Sequence, residues 1–458
     1  MRTVLALAPR LLRVGGGASP EGRRPTVTLL AVLAFAVTTA LALSVLGGLL
    51  GFIGRAAVPV PAGAVNDTAF YVVLAWIAVV LLVVPLAALG GAAARLGVSR
   101  RDARLATLRL LGVTPREVVA LTVVETAVQG LVGAALGAVG YGALLPVWTR
   151  IPFQGRAFGI DELWVGWPAL GLALLAVPLL AAVSGAASLR RVVVSPLGVA
   201  RRTTPPGLRW VRALAVLAAV VAFMVLANVA GMLGPGIAVL VLLGALAAVF
   251  GTLNLVGPWT LAMVGRLMAR LARRPATLLA ARRLLDDPRA AWRVVGGLGL
   301  AAFVAGVLSV LPSLVAADMA GDPAGALLAQ DLMTGGLLTL AIAFVLAATS
   351  AGIASAASVL DRRREYALQQ LAGVPVELFD SVRRREALVP LGFVLATSVT
   401  VALVVQVPFV GMIGPLQPVG LVMIAGCLGV GTVLLLAATE ASRPLLRSVL
   451  RDTVVRPD

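Results

Sequence analysis

Long apolar stretches alternate with short, arginine-bearing segments along the whole chain. A helix needs about 20 apolar residues to cross the roughly 30 Å hydrocarbon core of a bilayer. On that criterion the pattern predicts ten spans, near residues 28–53, 69–94, 118–148, 165–188, 210–231, 235–263, 294–315, 333–359, 387–411 and 415–439. The first stretch is too long for the apolar core of a secretory leader and lacks a convincing cleavage pattern, so it is read as a span. Segments 54–68, 149–164 and 316–332 are the longest on one side of the membrane. Each falls well short of the about 50 residues of an independent domain. That side offers little beyond acidic turns such as Asp318, Asp322 and Asp331.

Charge placement orients the spans. With the N-terminus inside, segments 1–27, 95–116, 189–212, 264–293, 361–386 and 441–458 hold all 38 basic residues except Arg55, Arg150 and Arg156. Basic loops are retained in the cytoplasm, so both termini are expected there, in a multi-pass protein of the cell membrane with an even number of spans.

Composition sharpens the class. Of 458 residues 60% are hydrophobic and 13% charged, and the mean hydropathy is +1.02. Soluble domains carry about a quarter charged residues. The net charge of +18 could suggest nucleic acid, but every basic residue is arginine and their placement follows the membrane, so no nucleic-acid partner is expected. With no histidine and a single cysteine, Cys427, the chain has no ligand cluster for zinc, haem or iron–sulfur and no internal disulfide. With no lysine it cannot form a G-x-x-x-x-G-K-[ST] phosphate loop, so nucleotide energy would come from a partner. No cofactor is expected in the chain. Nor is an enzyme expected: no Ser/His pair or paired central carboxylates appear.

An internal repeat lies across this pattern. Laying residue 101 on residue 362, an offset of 261, matches Arg101 with Arg362, Ala106 with Ala367, Leu110 with Leu371, Gly112 with Gly373, Val113 with Val374 and Glu125 with Glu386. Repeats place one device twice at the same depth. Gly112 can end a helix in the left-handed conformation, and Thr114, Pro115 and Glu117 then provide a cap hydroxyl, a first-turn proline and a capping-box glutamate. The segment is expected to be a helix, a corner and a second helix running into the third span. In the second copy Gly373, Pro375 and Glu377 keep the corner, one residue tighter, with Val374 at a weaker cap position. The alternative is an ordinary arginine-rich inner loop.

A charged residue, Leu-x-x-Leu-Gly-Val, a later Glu and a Gly-rich helix resemble the core of FtsX-like permeases, the membrane subunits of the ABC-transporter class that includes MacB. Here Arg104, Leu108, Leu111, Gly112, Val113, Glu125, Gly130, Gly133 and Gly137 carry the likeness. The second copy has Glu365, Leu371, Gly373, Val374 and Glu386. It differs in having Gln369 and Ala372 for the leucines, and Pro390 before a helix without the same glycines. "LLAARRLLDDPRAAW" (278–292) is similar to the amphipathic helix leading into such a module, and "VVVSPLGVAR" (192–201) to a module's exit.

The resemblance implies an all-α membrane protein with a four-span module in 1–202, two linker spans in 203–275 and a second module in 276–458. It also implies that Arg101, Arg104, Leu108, Gly112, Val113, Thr114, Arg362, Glu365, Leu371, Gly373 and Val374 form coupling elements for a separate ATP-binding-cassette ATPase, a dimer. The implied outcome is export or extraction of an amphiphile, or transmembrane signalling, with membrane lipid as the other partner. Neither copy has room for the large extracytoplasmic domain of many relatives, which puts their substrates in doubt.

An ion- or proton-coupled secondary transporter is the rival, and intramembrane carboxylates would mark it. Glu125 is a candidate, but its counterpart Glu386 follows Arg383, Arg384 and Arg385 and Glu440 precedes Arg443, so all three are read as interfacial. Asn228 and Asn254 are read as helix glue rather than a substrate site. Gly133 and Gly137 form a G-x-x-x-G that permits close helix approach, though a glycine-rich chain also meets this spacing by chance. Trp148, Trp164, Trp167 and Trp210 near span ends are read as interfacial anchors.

Overall fold

The computed structural model describes residues 24–58, 68–96, 115–193, 211–229, 232, 235–310, 323–361, 365, 368–369, 371–409 and 418–441. Its helices are α1 (Arg24–Ala56), α2 (Thr68–Leu96), α3 (Pro115–Trp148), α4 (Ile160–Leu163), α5 (Gly166–Val193), α6 (Val211–Val229) and α7 (Pro235–Leu271). They continue as α8 (Pro275–Asp286), α9 (Pro288–Leu308), α10 (Pro323–Asp361), α11 (Val376–Gln406) and α12 (Pro418–Ala441). Nine stretches among the described residues are long and apolar enough to cross a bilayer, and α6 adds a shorter apolar helix, Leu214–Val229. The protein is an all-α, multi-span membrane protein.

Several helices outrun the expected spans. Helix α11 begins at Val376 rather than near 387, and α10 at Pro323 rather than near 333. An apolar window sees only the part of a helix that lies in hydrocarbon, whereas the backbone ladder continues through "VELFDSVRRRE" without interruption. A small hairpin, β1 (Pro152–Phe153) with β2 (Arg156–Ala157), was absent from the expected pattern. Its turn, Gln154-Gly155, has φ of 57° and 72°, as a two-residue turn between right-twisted strands requires.

The chain divides into two compact units, Met1–Ser44, Ala87–Leu145 and Val165–Gly207 in one, and Val45–Leu86, Pro146–Trp164 and Leu208–Asp458 in the other. In the first, α3 meets α1 through glycine. A Cβ on Gly137 would lie 2.6 Å from both the Ala36 carbonyl oxygen and Thr39 Cβ; one on Gly133 would strike Phe35 and lie 3.0 Å from the Val32 oxygen. Gly130 likewise admits Pro178 and Ala181 of α5. The G-x-x-x-G is therefore a working helix contact.

In the second unit α9 is the central helix, packed by α7, α10, α11 and α12. Leu298, Ala301, Ala302 and Phe303 are fully enclosed, and Phe303 stacks on Phe250 of α7 at 5.1 Å. Asp287 separates α8 from α9: its carboxylate accepts the Ala290 N–H at 2.9 Å, and Pro288 fills the first helical position. The Trp292 indole lies in a notch left by Gly257 and Gly296 and donates to Asn254 Oδ1 at 2.8 Å. Asn254 thus ties α7 to α9, while Asn228 turns back on its own helix to the Met224 carbonyl.

Candidate functional site

Arg101, Arg104, Leu108, Gly112, Val113 and Thr114 lie outside the described residues, as does Arg362. Helix α3 begins at Pro115 with Glu117 in its first turn, and Glu125 is half-buried on it. The second corner is seen in more detail. Gly373 has φ +81°, the Ala372 N–H donates to the Leu368 carbonyl at 3.0 Å, and the Val374 N–H reaches the Gln369 carbonyl at 3.1 Å. That bond spans five residues, closing the end of a helix around a left-handed glycine. Val374, expected as the next helix cap, instead supplies this closing N–H. The cap is Pro375, extended at φ −67°, ψ 146°, and α11 starts at Val376. Glu365 and Leu371 are exposed, Leu371 at 77%.

Beneath this corner lies an arginine that sequence reasoning did not single out. Arg283, on the amphipathic helix α8, is only 6% exposed. Its Nη2 donates to Gln369 Oε1 at 3.0 Å, and its Nη1 lies 3.9 Å from Glu386 Oε2 on α11. The planar, multi-donor guanidinium can hold both groups at once, so one side chain ties the lead-in helix, the corner and the start of the third span. Arg385 adds a bond to the Thr277 hydroxyl on α8, and Arg384 pairs with Glu440 of α12 at 3.1 Å. Gln369, where the earlier arginine-rich segment has Leu108, thus has a physical reason: it receives a buried cation. The available signal was that Gln in an otherwise apolar slot, together with Arg283 on the apolar side of α8.

A second polar cluster involves two of the three arginines that broke the charge rule. Arg55, at the end of α1, is buried and donates to Glu162 Oε2 at 2.9 Å and to the Phe153 and Ala157 carbonyls at 2.8 Å each. Its guanidinium also lies 3.6 Å from the Phe158 ring centroid. Glu162 further accepts from Arg156 at 3.0 Å and from the Gly159 N–H at 2.8 Å. The third exception, Arg150, is exposed. Asp331, expected in an acidic turn, is instead buried on α10, accepting the Tyr71 hydroxyl and the Gln154 N–H at 2.7 Å each. The apolar context carries that helix past the aspartate, and the two donors satisfy it. Asp318 and Asp322 lie outside the described residues. Trp167 is 77% exposed at the start of α5, while Trp148 and Trp164 are half-buried and Trp210 lies outside the described residues.

The segment that holds α3 and α5 coincides with a known domain. Residues 91–196 match the family model of the FtsX-like permease C-terminal domain. The chain carries an FtsX-like permease domain. Over this segment the chain is similar to FtsX-like permeases, and its apolar helices make it a multi-pass membrane protein. No curated protein matches the chain. The FtsX-like match includes Gly130, Gly133 and Gly137, the glycines that seat α3 against α5 and α1, and ends just past α5.

Proposed function

We propose that the chain couples ATP hydrolysis by a separate ATP-binding-cassette ATPase dimer to export or extraction of an amphiphile, or to a mechanical signal across the cell membrane. The FtsX-like match over the first corner carries this reading. Two four-span modules, 1–202 and 276–458, flank linker spans in 203–275, and each corner receives one ATPase subunit. The Gly373 closure and the Arg283 lock support this use, because a coupling element must pass on force rather than yield.

Among the described residues, Asp331 gives the proton-coupled reading a specific foothold, as a buried carboxylate in a helix long enough to span. It lies near the start of that helix and is already satisfied by two donors, which favours a structural role. The test is to isolate the protein from its native membrane in mild detergent, identify co-purifying subunits and measure ATP turnover. An ATP-binding-cassette ATPase with turnover that needs no proton gradient is expected. Isolation without such a subunit, together with proton uptake by the protein alone in liposomes, would favour the rival.

A further inference from the structure

Helix α7 has a face that neither the family match nor the coupling reading uses. Its 37 residues extend about 55 Å at 1.5 Å per residue, so it cannot lie wholly within the roughly 30 Å hydrocarbon core. Trp259, Met263, Arg266 and Arg270 recur at intervals of four, three and four, which places them on one stripe of a 3.6-residue helix. With Leu267, and Phe393 from α11, they line a groove of about 350 Å³. Met263, Leu267 and Phe393 are exposed at 47%, 58% and 41%.

The stripe changes character along its length. Trp259, Met263 and Phe393 make its apolar end, and the two arginines mark its polar end. From Trp259 to Arg270 is about 16 Å of helix, the span of a headgroup and the upper part of an acyl chain. Both arginines are exposed, and neither is engaged by a carboxylate among the described residues. A groove with an aliphatic–aromatic wall that ends in two available guanidinium groups is complementary to one chemistry: an acyl chain ending in a phosphate.

We infer that this groove binds an anionic phospholipid, with Arg266 and Arg270 on the phosphate and Trp259, Met263 and Phe393 against the acyl chain. Guanidinium groups suit phosphate through paired N–H donors, and basic recesses between spanning helices attract anionic headgroups. A zwitterionic lipid brings its own cation to the same place and gains less. The site commits α7 and α11, from the linker and the second module, to the composition of the surrounding leaflet.

The test uses the full chain in lipid nanodiscs. A photoreactive phosphatidylglycerol, with its reactive group beside the headgroup, is cross-linked and the adducts are mapped by peptide mass spectrometry. Adducts are expected on α7 between 259 and 271 and on α11 around Phe393, with a phosphatidylcholine analogue labelling these positions much less. Arg266→Gln with Arg270→Gln should weaken capture about twenty-five-fold, a factor of about five for each arginine. Arg266→Lys with Arg270→Lys should restore most of it, which separates charge recognition from a folding defect. Equal labelling by both lipids, no change in the glutamine pair, or displacement by inorganic phosphate alone would overturn the inference.

Discussion

Two close helix contacts, one in each half of the chain, solve the same problem in opposite ways. In the first, α3 supplies the glycines, Gly133 and Gly137, and α1 supplies Phe35, Ala36 and Thr39. In the second, α9 supplies Gly299 and Gly306, and α11 supplies Val394, Ser398 and Ala402. At the offset of 261 that aligns Arg101 with Arg362, Gly133 falls on Val394 and Gly137 on Ser398. Helix α11 therefore carries Val394 and Ser398 where α3 carries glycines, while α9, which it packs against, holds glycines instead. What the two contacts share is the close approach of two helices, not which helix carries the small residues, as expected where association rests on van der Waals packing. Each contact also sets a hydroxyl-bearing side chain against a glycine, Thr39 through its Cβ on Gly137 and Ser398 through its Oγ on Gly299, and both hydroxyls are buried without a hydrogen-bond partner among the described residues.

The largest expected effect is at Gly137. A Val there would strike the Ala36 carbonyl and Thr39, and backbone cannot swing aside as a side chain can, so Gly137→Val should cost about 3 kcal/mol or more. Thermal unfolding of the purified protein measures it; a melting temperature equal to that of the parent would mean that α1 and α3 are not in close contact. The inversion is sharpened by a cycle at the second contact. Gly299→Ala should cost about 1–3 kcal/mol because its methyl meets Val394, and Val394→Ala should recover at least about 1 kcal/mol of that. Strictly additive changes in stability would break the comparison.

Smaller effects complete the series. Ser398→Ala removes a buried hydroxyl that has no partner among the described residues and should be neutral or stabilising by up to about 1 kcal/mol, whereas a clear loss would reveal a bond to that oxygen. Gly140→Ala is the control within α3, since its methyl would sit 3.5 Å from Ala40 Cβ, an ordinary contact. It should shift stability by no more than about 0.5 kcal/mol in the same unfolding assay.

The spans were legible because an apolar run of bilayer length leaves few alternatives for the backbone. Gly373 was legible because the sequence around it offered a stop followed by a proline. The inverted glycine contact was not: Gly299 and Gly306 look unremarkable until α9 is known to face α11. Arg55 was hidden for a related reason. Its partners, Glu162 and the carbonyls of Phe153 and Ala157, lie about a hundred residues away, and no local period announces them. Asp331 misled because an aspartate near an expected span end looks solvated, and only the positions of Tyr71 and Gln154 show that it is enclosed.

The central claim is that the paired corners face the cytoplasm and receive an ATPase. Leu371, 77% exposed beside Gly373, offers the most direct test. In a Cys427→Ser background, Leu371→Cys is labelled with a membrane-impermeant maleimide, first in intact cells and then in inside-out vesicles with and without the co-purifying ATPase. The account predicts no labelling from outside the cell, rapid labelling of inside-out vesicles stripped of ATPase, and protection once the ATPase is added back. Labelling in intact cells, or full reactivity with the ATPase bound, would contradict it.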